Sequence, residues 1–382
     1  MMKTKAAVLS EMERPRPYAG SRPLALEEVE LAPPGPGEVL VEIAAASLCH
    51  SDLSVINGTR PWPMPLVLGH EAAGVVRETG AGVSDLVPGD HVVFSFLPLC
   101  GRCLNCVSGR GWLCERGVAA NRAGTLLTGA CRFHRHDGHK LFHHLGVSGF
   151  SQFTVAARES LVKIESDVPL EIAVLFGCAV MTGVGAVVNT AKVSPGTSVA
   201  VFGLGGVGLS AILGARLAGA WPIIAVDRLA PKLELARQCG ATHTVDASQT
   251  DPVAAVRDLT HGGAETAIEA VGSEQVIAQA YAATRRGGRT VAIGLPHPCR
   301  QLTIPAVSLI AEERQLLGSY MGSCVPQRDI PRFINLYRAG LLPVQLLKSR
   351  EIKLDQVNEA FDALDRGEVA DRKSTRLNSS HN

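Results

Sequence analysis

From residue 198 to about residue 319 the chain repeats one pattern: a short apolar run, then a stretch whose apolar positions fall three and four apart. The apolar runs at 198–202, 223–227, 266–270 and 290–294 are strand-sized, and helical patterns at 206–218 and 231–239 stand between them. Strands alternating with helices predict a parallel sheet covered on both faces, an α/β doubly wound fold.

Residues 1–177 read differently. Short β-like stretches at 40–44, 73–78, 91–94 and 152–155 are separated by glycine and proline turns such as 33–37, which predicts a β-rich domain. Residues 178–319 then form the α/β domain. Helical patterns at 331–339 and 354–366 are expected to return residues 320–370 to the first domain. Segment 371–382 has no apolar periodicity. From Asp371 to His381 it matches an in-frame translation of a widely used sequencing adaptor, so the segment is expected to be a library artefact that replaces a final strand.

A chain of 382 residues exceeds what one hydrophobic core usually serves, in keeping with two domains. Hydrophobic residues at 46%, charged residues at 19% and a net charge of +1 give neither the disorder signature nor the charge footprint of a nucleic-acid or membrane binder. A small-molecule partner is expected. The N-terminus lacks the apolar core of a signal peptide, and no apolar run approaches the roughly 20 residues of a membrane span, so a cytoplasmic location is expected. Ten cysteines in a reducing compartment point to metal ligation rather than disulfides.

The apolar run 199–202 leads directly into Gly203-Leu204-Gly205-Gly206-Val207-Gly208 and a helical pattern. Gly203, Gly205 and Gly208 fit the G-x-G-x-x-G fingerprint, in which bare backbone approaches a pyrophosphate at a helix N-terminus. Asp227 ends the next apolar run. Its carboxylate can accept from a ribose diol and would repel a 2′-phosphate, which favours NAD; Arg228 beside it could tolerate that phosphate.

Cys100, Cys103, Cys106 and Cys114 supply four thiolates from one loop at about 98–116, the set of a closed, structural zinc site. An iron–sulfur cluster takes the same number of cysteines. A dispersed second set, Cys49, His70 and Cys178, offers two thiolates and an imidazole and leaves a fourth position open, as catalytic zinc requires. Taken singly, a lone histidine or cysteine is ordinary core filling. Segment 115–145, with His134, His136, His139, His143 and His144, reads as a solvated loop rather than a third metal site.

Cys-His-Ser-Asp at 49–52, Gly-His-Glu at 69–71, the four-cysteine lobe, Gly-Cys-x-x-x-Thr-Gly at 177–183 and the glycine fingerprint occur in an order that resembles the zinc-containing medium-chain alcohol dehydrogenases, including their aryl and primary alcohol members. The resemblance implies a GroES-like β-rich catalytic domain, a Rossmann domain, an active site in the cleft, two zinc ions per subunit, NAD, and a homodimer or homotetramer. Cys49, His70 and Cys178 would hold the catalytic zinc, with Glu71 as an alternate ligand. Asp52 would accept the other ring N–H of His70, Ser51 would take the proton of the alcohol, and His50 would face the pyrophosphate. Thr182, Val207 and Ile293 would flank the nicotinamide and Lys232 would reach the adenosine ribose. Ser54 stands where well-known members have the histidine that ends the proton relay.

These features predict hydride exchange between a primary, allylic or aromatic alcohol and NAD, giving the aldehyde, with Phe96 as a bulky pocket wall. The length of segment 115–145 and the run 144–148 also resemble the glutathione-dependent formaldehyde dehydrogenase branch, although that branch has an acid where Arg60 stands. A catalytically silent zinc and nucleotide-binding redox sensor is the alternative of another class.

Overall fold

The computed structural model describes residues 1–368 and the backbone of 373–376. The rest of the terminal segment 371–382, expected to be an artefact, lies outside the described residues. The chain divides into two units, the first made of 1–178, 325–331 and 348–382, the second of 179–324 and 332–347.

In the first unit Met2–Leu9 pairs antiparallel with Leu24–Leu31 and belongs to a closed five-stranded barrel. A second sheet is built around the long strand Glu38–Ser47, which pairs antiparallel with Glu71–Thr79 and with Phe153–Ala157. Val39, Val41, Ile43, Val76, Phe94 and Phe150 are fully buried there, each contributing on the order of 1.5–3 kcal/mol by leaving water. The helix Val357–Asp365 closes this core because Val357, Ala360, Phe361 and Leu364 repeat at helical spacing and are all buried. Its polar side is tied down too: Asp362 accepts from the backbone N–H of Tyr18 at 2.6 Å and of Ala19 at 2.8 Å. The backbone of Lys373–Arg376 pairs with Glu38–Ser47. Apolar pattern did not predict that strand, but an open sheet edge offers hydrogen bonds to any chain that can extend along it.

The second unit is the expected doubly wound sheet. Its six strands are all parallel. Numbered within the sheet, they run 3-2-1-4-5-6, with Val199–Phe202 as strand 1 beside Ala264–Glu269 as strand 4. Strand order reverses between those two, the place where such sheets bind ligands beyond their carboxyl ends.

The return of the chain is shorter than its helical pattern suggested. Residues 332–347 stay with the second unit, where Phe333, Ile334, Leu342, Val344 and Leu347 are buried. Helical periodicity marks an apolar face without saying which sheet covers it. Among the described residues no single helix is long and apolar enough to cross a membrane.

Candidate active site

Antiparallel register brings the first cluster together. Ser47 pairs with Glu71, so the stretch that leaves one strand toward Cys49 runs beside the stretch that enters the other through Gly69 and His70. Gly69 has φ +95°, and a Cβ there would lie 2.6 Å from the backbone nitrogen of Phe150. Only glycine makes this turn without strain. Cys49 is extended and precedes the helix His50–Ile56. In that helix's first turn Asp52 accepts from the Cys49 backbone N–H at 3.2 Å, an arrangement in which a carboxylate caps the helix N-terminus. Cys178 arrives from Val174–Gly177. A Cβ on Gly177 would lie 2.4 Å from the Phe94 carbonyl oxygen, so this stretch rests directly on strand His91–Phe94.

One ligand atom from each of Cys49, His70, Glu71 and Cys178 falls within 4.8 Å of the others. His70 Nδ1 lies 2.9 Å from Asp52 Oδ1, while Nε2 lies 3.9 Å from Glu71 Oε1. Burial alone would push the His70 pKa down, but the charge and hydrogen bond of Asp52 outweigh it and raise it well above the ordinary value. Burial likewise pushes Asp52 up, and the opposing charge of His70 with hydrogen bonds from His144 and His70 holds it below the usual carboxylate range. The Cys49 thiol is drawn well down, first by a hydrogen bond from Cys178. Two sulfurs, an imidazole nitrogen and a carboxylate form a donor set that suits zinc.

Ser51 is half-buried and His50 exposed in the same first turn. Ser54 donates its hydroxyl proton to the His50 carbonyl at 2.9 Å. Phe96 packs edge-on against His70, ring centroids 5.9 Å apart.

The second cluster is local. Single sulfurs of Cys100, Cys103, Cys106 and Cys114 lie within 4.8 Å of one another. Cys114 Sγ also accepts from the backbone N–H groups of Cys100 and Gly117, each at 3.3 Å, and so caps the helix Glu115–Arg122. The Cys106 backbone N–H is the chief cause of a Cys103 pKa lowered to about 6. Four thiols facing one point, one already favoured as thiolate, fit a closed metal site.

The solvated-loop reading of 115–145 fails at its end. The segment holds the helix Glu115–Arg122 and the strands Phe133–His134 and Lys140–His143. His139 is exposed, as expected, but His143 and His144 are buried. Burial lowers the His143 pKa to about 3, and its Nδ1 meets Ser148 Oγ at 3.2 Å. The ring of His144 stands edge-on to His70 at 5.5 Å. Polarity and spacing do not reveal this: His143 is covered from nearby in the chain by Phe133 and Ser148, while His144 packs against Trp62 and His70, far back in the chain.

At the dinucleotide fingerprint, Val199–Phe202 runs into the helix Gly206–Leu217, with Gly205 as the residue before the first turn. Gly203 has φ +90°, and a Cβ on Gly208 would lie 1.8 Å from the Gly203 carbonyl oxygen. Asp227 ends the neighbouring strand, and its carboxylate accepts from the backbone N–H groups of Leu204 at 2.8 Å, Arg228 at 2.7 Å and Leu229 at 3.0 Å. It therefore braces the glycine turn, a role its position alone did not reveal. Val207 lies in the first turn of that helix, and Gly183, next to buried Thr182, packs against the Val207 carbonyl. The Ile293 N–H donates to the Glu269 carbonyl at 2.9 Å. Arg228 is exposed, and Lys232 is half-buried near the start of Ala230–Cys239. Sequence reasoning passed over Glu269, a buried carboxylate at the end of strand 4. One of its oxygens accepts from Val271 and Gly272 N–H, and burial raises its pKa.

Residues 35–166 match the alcohol dehydrogenase GroES-like domain and residues 206–339 match the zinc-binding dehydrogenase family. The chain is 40% identical over 367 residues to a putative alcohol dehydrogenase D of Mycobacterium tuberculosis, covering 95% of this chain and 97% of that one. It is 38% identical over 370 residues to an S-(hydroxymethyl)glutathione dehydrogenase of a Synechocystis species, covering 96% and 98%. The crystal structure of benzyl alcohol dehydrogenase from Acinetobacter calcoaceticus superposes with a TM-score of 0.92 at 32% identity, covering 99% of this chain and 100% of that one.

Proposed function

We propose that this chain, which belongs to the zinc-containing medium-chain alcohol dehydrogenases, exchanges a hydride between NAD and a primary, allylic or aromatic alcohol, giving the aldehyde. The observation that carries this reading is the convergence of Cys49, His70 and Cys178 on one point, with Asp52 behind the imidazole.

When bound, zinc supplies a positive charge that lowers the pKa of a hydroxyl and NAD supplies the hydride acceptor. The two sulfurs and His70 Nε2 would hold the metal, and Glu71 stands near enough to His70 to exchange for one of them. Asp52 keeps the proton of His70 on Nδ1, so Nε2 presents a lone pair. Ser51 takes the alcohol proton, which leaves through exposed His50 or water, since Ser54 is committed to the helix backbone. Asp227 braces the glycine turn and would accept from the ribose diol, and Thr182, Val207 and Ile293 would flank the nicotinamide. Cys100, Cys103, Cys106 and Cys114 would hold a second metal with all four positions filled, which would brace their lobe and leave no place for substrate.

Phe96 beside His70 supports aromatic alcohols as substrates, as does the benzyl alcohol dehydrogenase likeness. A panel of alcohols followed by NADH absorbance tests this: aromatic and allylic alcohols turn over without added thiol. An absolute need for glutathione would instead establish the S-(hydroxymethyl)glutathione reading, which the Synechocystis relative favours and Arg60 opposes. The location proposed is cytoplasmic. Exposed Val307 and Ile310 on the helix Ala306–Ala311, just before the edge strand Gln315–Gly318, support a homodimer or homotetramer.

A further inference from the structure

We propose that His144 is a positioning residue for the metal centre: its ring Nδ1 stands 3.2 Å from Asp52 Oδ1, close enough to offer a second N–H to the carboxylate that orients His70. The proposal rests on the reading of Cys49, His70 and Cys178 as ligands.

Asp52 is fully buried. One of its oxygens faces His70 Nδ1 and the other takes the Cys49 backbone N–H, so this single carboxylate holds two of the three ligand residues. A carboxylate has about four acceptor positions, and in a dry interior whatever donors it lacks it cannot borrow from water. His144, 1% exposed, closes the arrangement. Its ring is fixed from two sides, edge-on to Trp62 at 5.3 Å and to His70 at 5.5 Å. Its backbone is fixed as well: the His144 N–H donates to Ser148 Oγ at 3.2 Å and its carbonyl accepts from Val147 and Ser148 N–H.

The turn that follows costs the backbone something. Leu145 at φ +53° and Ser148 at φ +54° occupy the left-handed region without being glycine, with Gly146 at +66° between them. Strain of this kind persists only where the surroundings over-determine it, and it gathers at functional sites. Here its effect is to hold the His144 ring against Asp52. Loss of the donor should let the carboxylate turn and loosen His70.

The test compares His144→Phe, which keeps a ring against Trp62 and His70 but removes the donor, with His144→Asn, which places an amide N–H where Nδ1 stood. Full-length zinc-loaded proteins are mixed with a chelator, and release from the catalytic site is followed against the four-cysteine lobe as internal reference. NAD binding and near-ultraviolet circular dichroism report folding. His144→Phe is expected to lose the catalytic metal about 10–100-fold faster than the parent, and His144→Asn to stay near the parent rate. Cobalt put in place of zinc should show an altered visible spectrum in the Phe variant alone. If the Phe chain does not fold, His144→Leu makes the same comparison. Equal release from parent and donor-less variant overturns the proposal, and so does an Asn variant as leaky as Phe. A parent that binds one zinc per chain instead of two overturns the ligand reading itself and is distinguishable by metal analysis.

Discussion

Asp52 Oδ1 and His70 Nδ1 lie 2.9 Å apart, both sealed from solvent, and this contact decides which nitrogen of the imidazole remains for a metal. An imidazole that donates Nδ1–H to a carboxylate is held as one tautomer, with a lone pair on Nε2. The nitrogen left over is the one that faces Glu71 and the cysteines.

Replacing Cys49, His70 or Cys178 by alanine is expected to remove one zinc per chain and reduce turnover by more than the roughly 10–100-fold typical of losing a supporting hydrogen bond. NAD binding, followed by fluorescence, should hardly change, since the glycine turn belongs to the other unit. A variant with normal turnover excludes that residue from the metal site.

Metal uptake should weaken as pH falls. In the metal-free protein the charge and hydrogen bond of Asp52 raise the His70 pKa despite burial, which favours a second proton on the ring. Cys178 donates to the sulfur of Cys49, which is already drawn toward thiolate. Ligation must expel the extra His70 proton and that of Cys178, so affinity should drop up to about a hundredfold per pH unit. Zinc titration in weakly buffered solution with a pH indicator reads the protons directly; uptake independent of pH from roughly 6 to 8 would contradict the assignment.

Asp227→Gly removes the charge that opposes a 2′-phosphate together with three backbone anchors. The preference for NAD over NADP in kcat/KM should fall at least about tenfold, the equivalent of one charge-assisted hydrogen bond. Asp227→Asn keeps an acceptor for the turn and should lose discrimination with less loss of NAD affinity. Steady-state kinetics with both cofactors separate the two effects.

Cys114→Ser strips the lobe of a buried ligand and weakens the cap on Glu115–Arg122. Thermal unfolding should begin about 5 °C lower or more, with the second zinc lost and turnover at low temperature largely kept. Loss of activity without loss of stability would make the lobe catalytic.

Much of this was readable in advance because it is local. The four cysteines of the lobe lie within one short stretch, and the glycine fingerprint sits between an apolar strand and a helix, so spacing carries the chemistry. What could not be read depends on distance along the chain. His144 looks like one more polar residue in a histidine-rich segment, because Asp52 and Trp62, which bury it, come from another part of the domain. Residues 332–347 show a helical face but not which unit it joins. Asp227 was visible as a carboxylate at a strand end, yet its bond to Leu204 appears only when two parallel strands are laid side by side.

The two donor clusters also differ in when the growing polypeptide can complete them. Cys100 and Cys114 are fourteen positions apart, so their lobe is finished almost as soon as it leaves the ribosome and can capture an ion while most of the protein is still unmade. The other trio is complete only after residue 178 has been synthesised and Ser47 has found Glu71 across the sheet. During biosynthesis the four-cysteine lobe therefore has a head start, and scarcity of zinc would fall first on the trio proposed for catalysis.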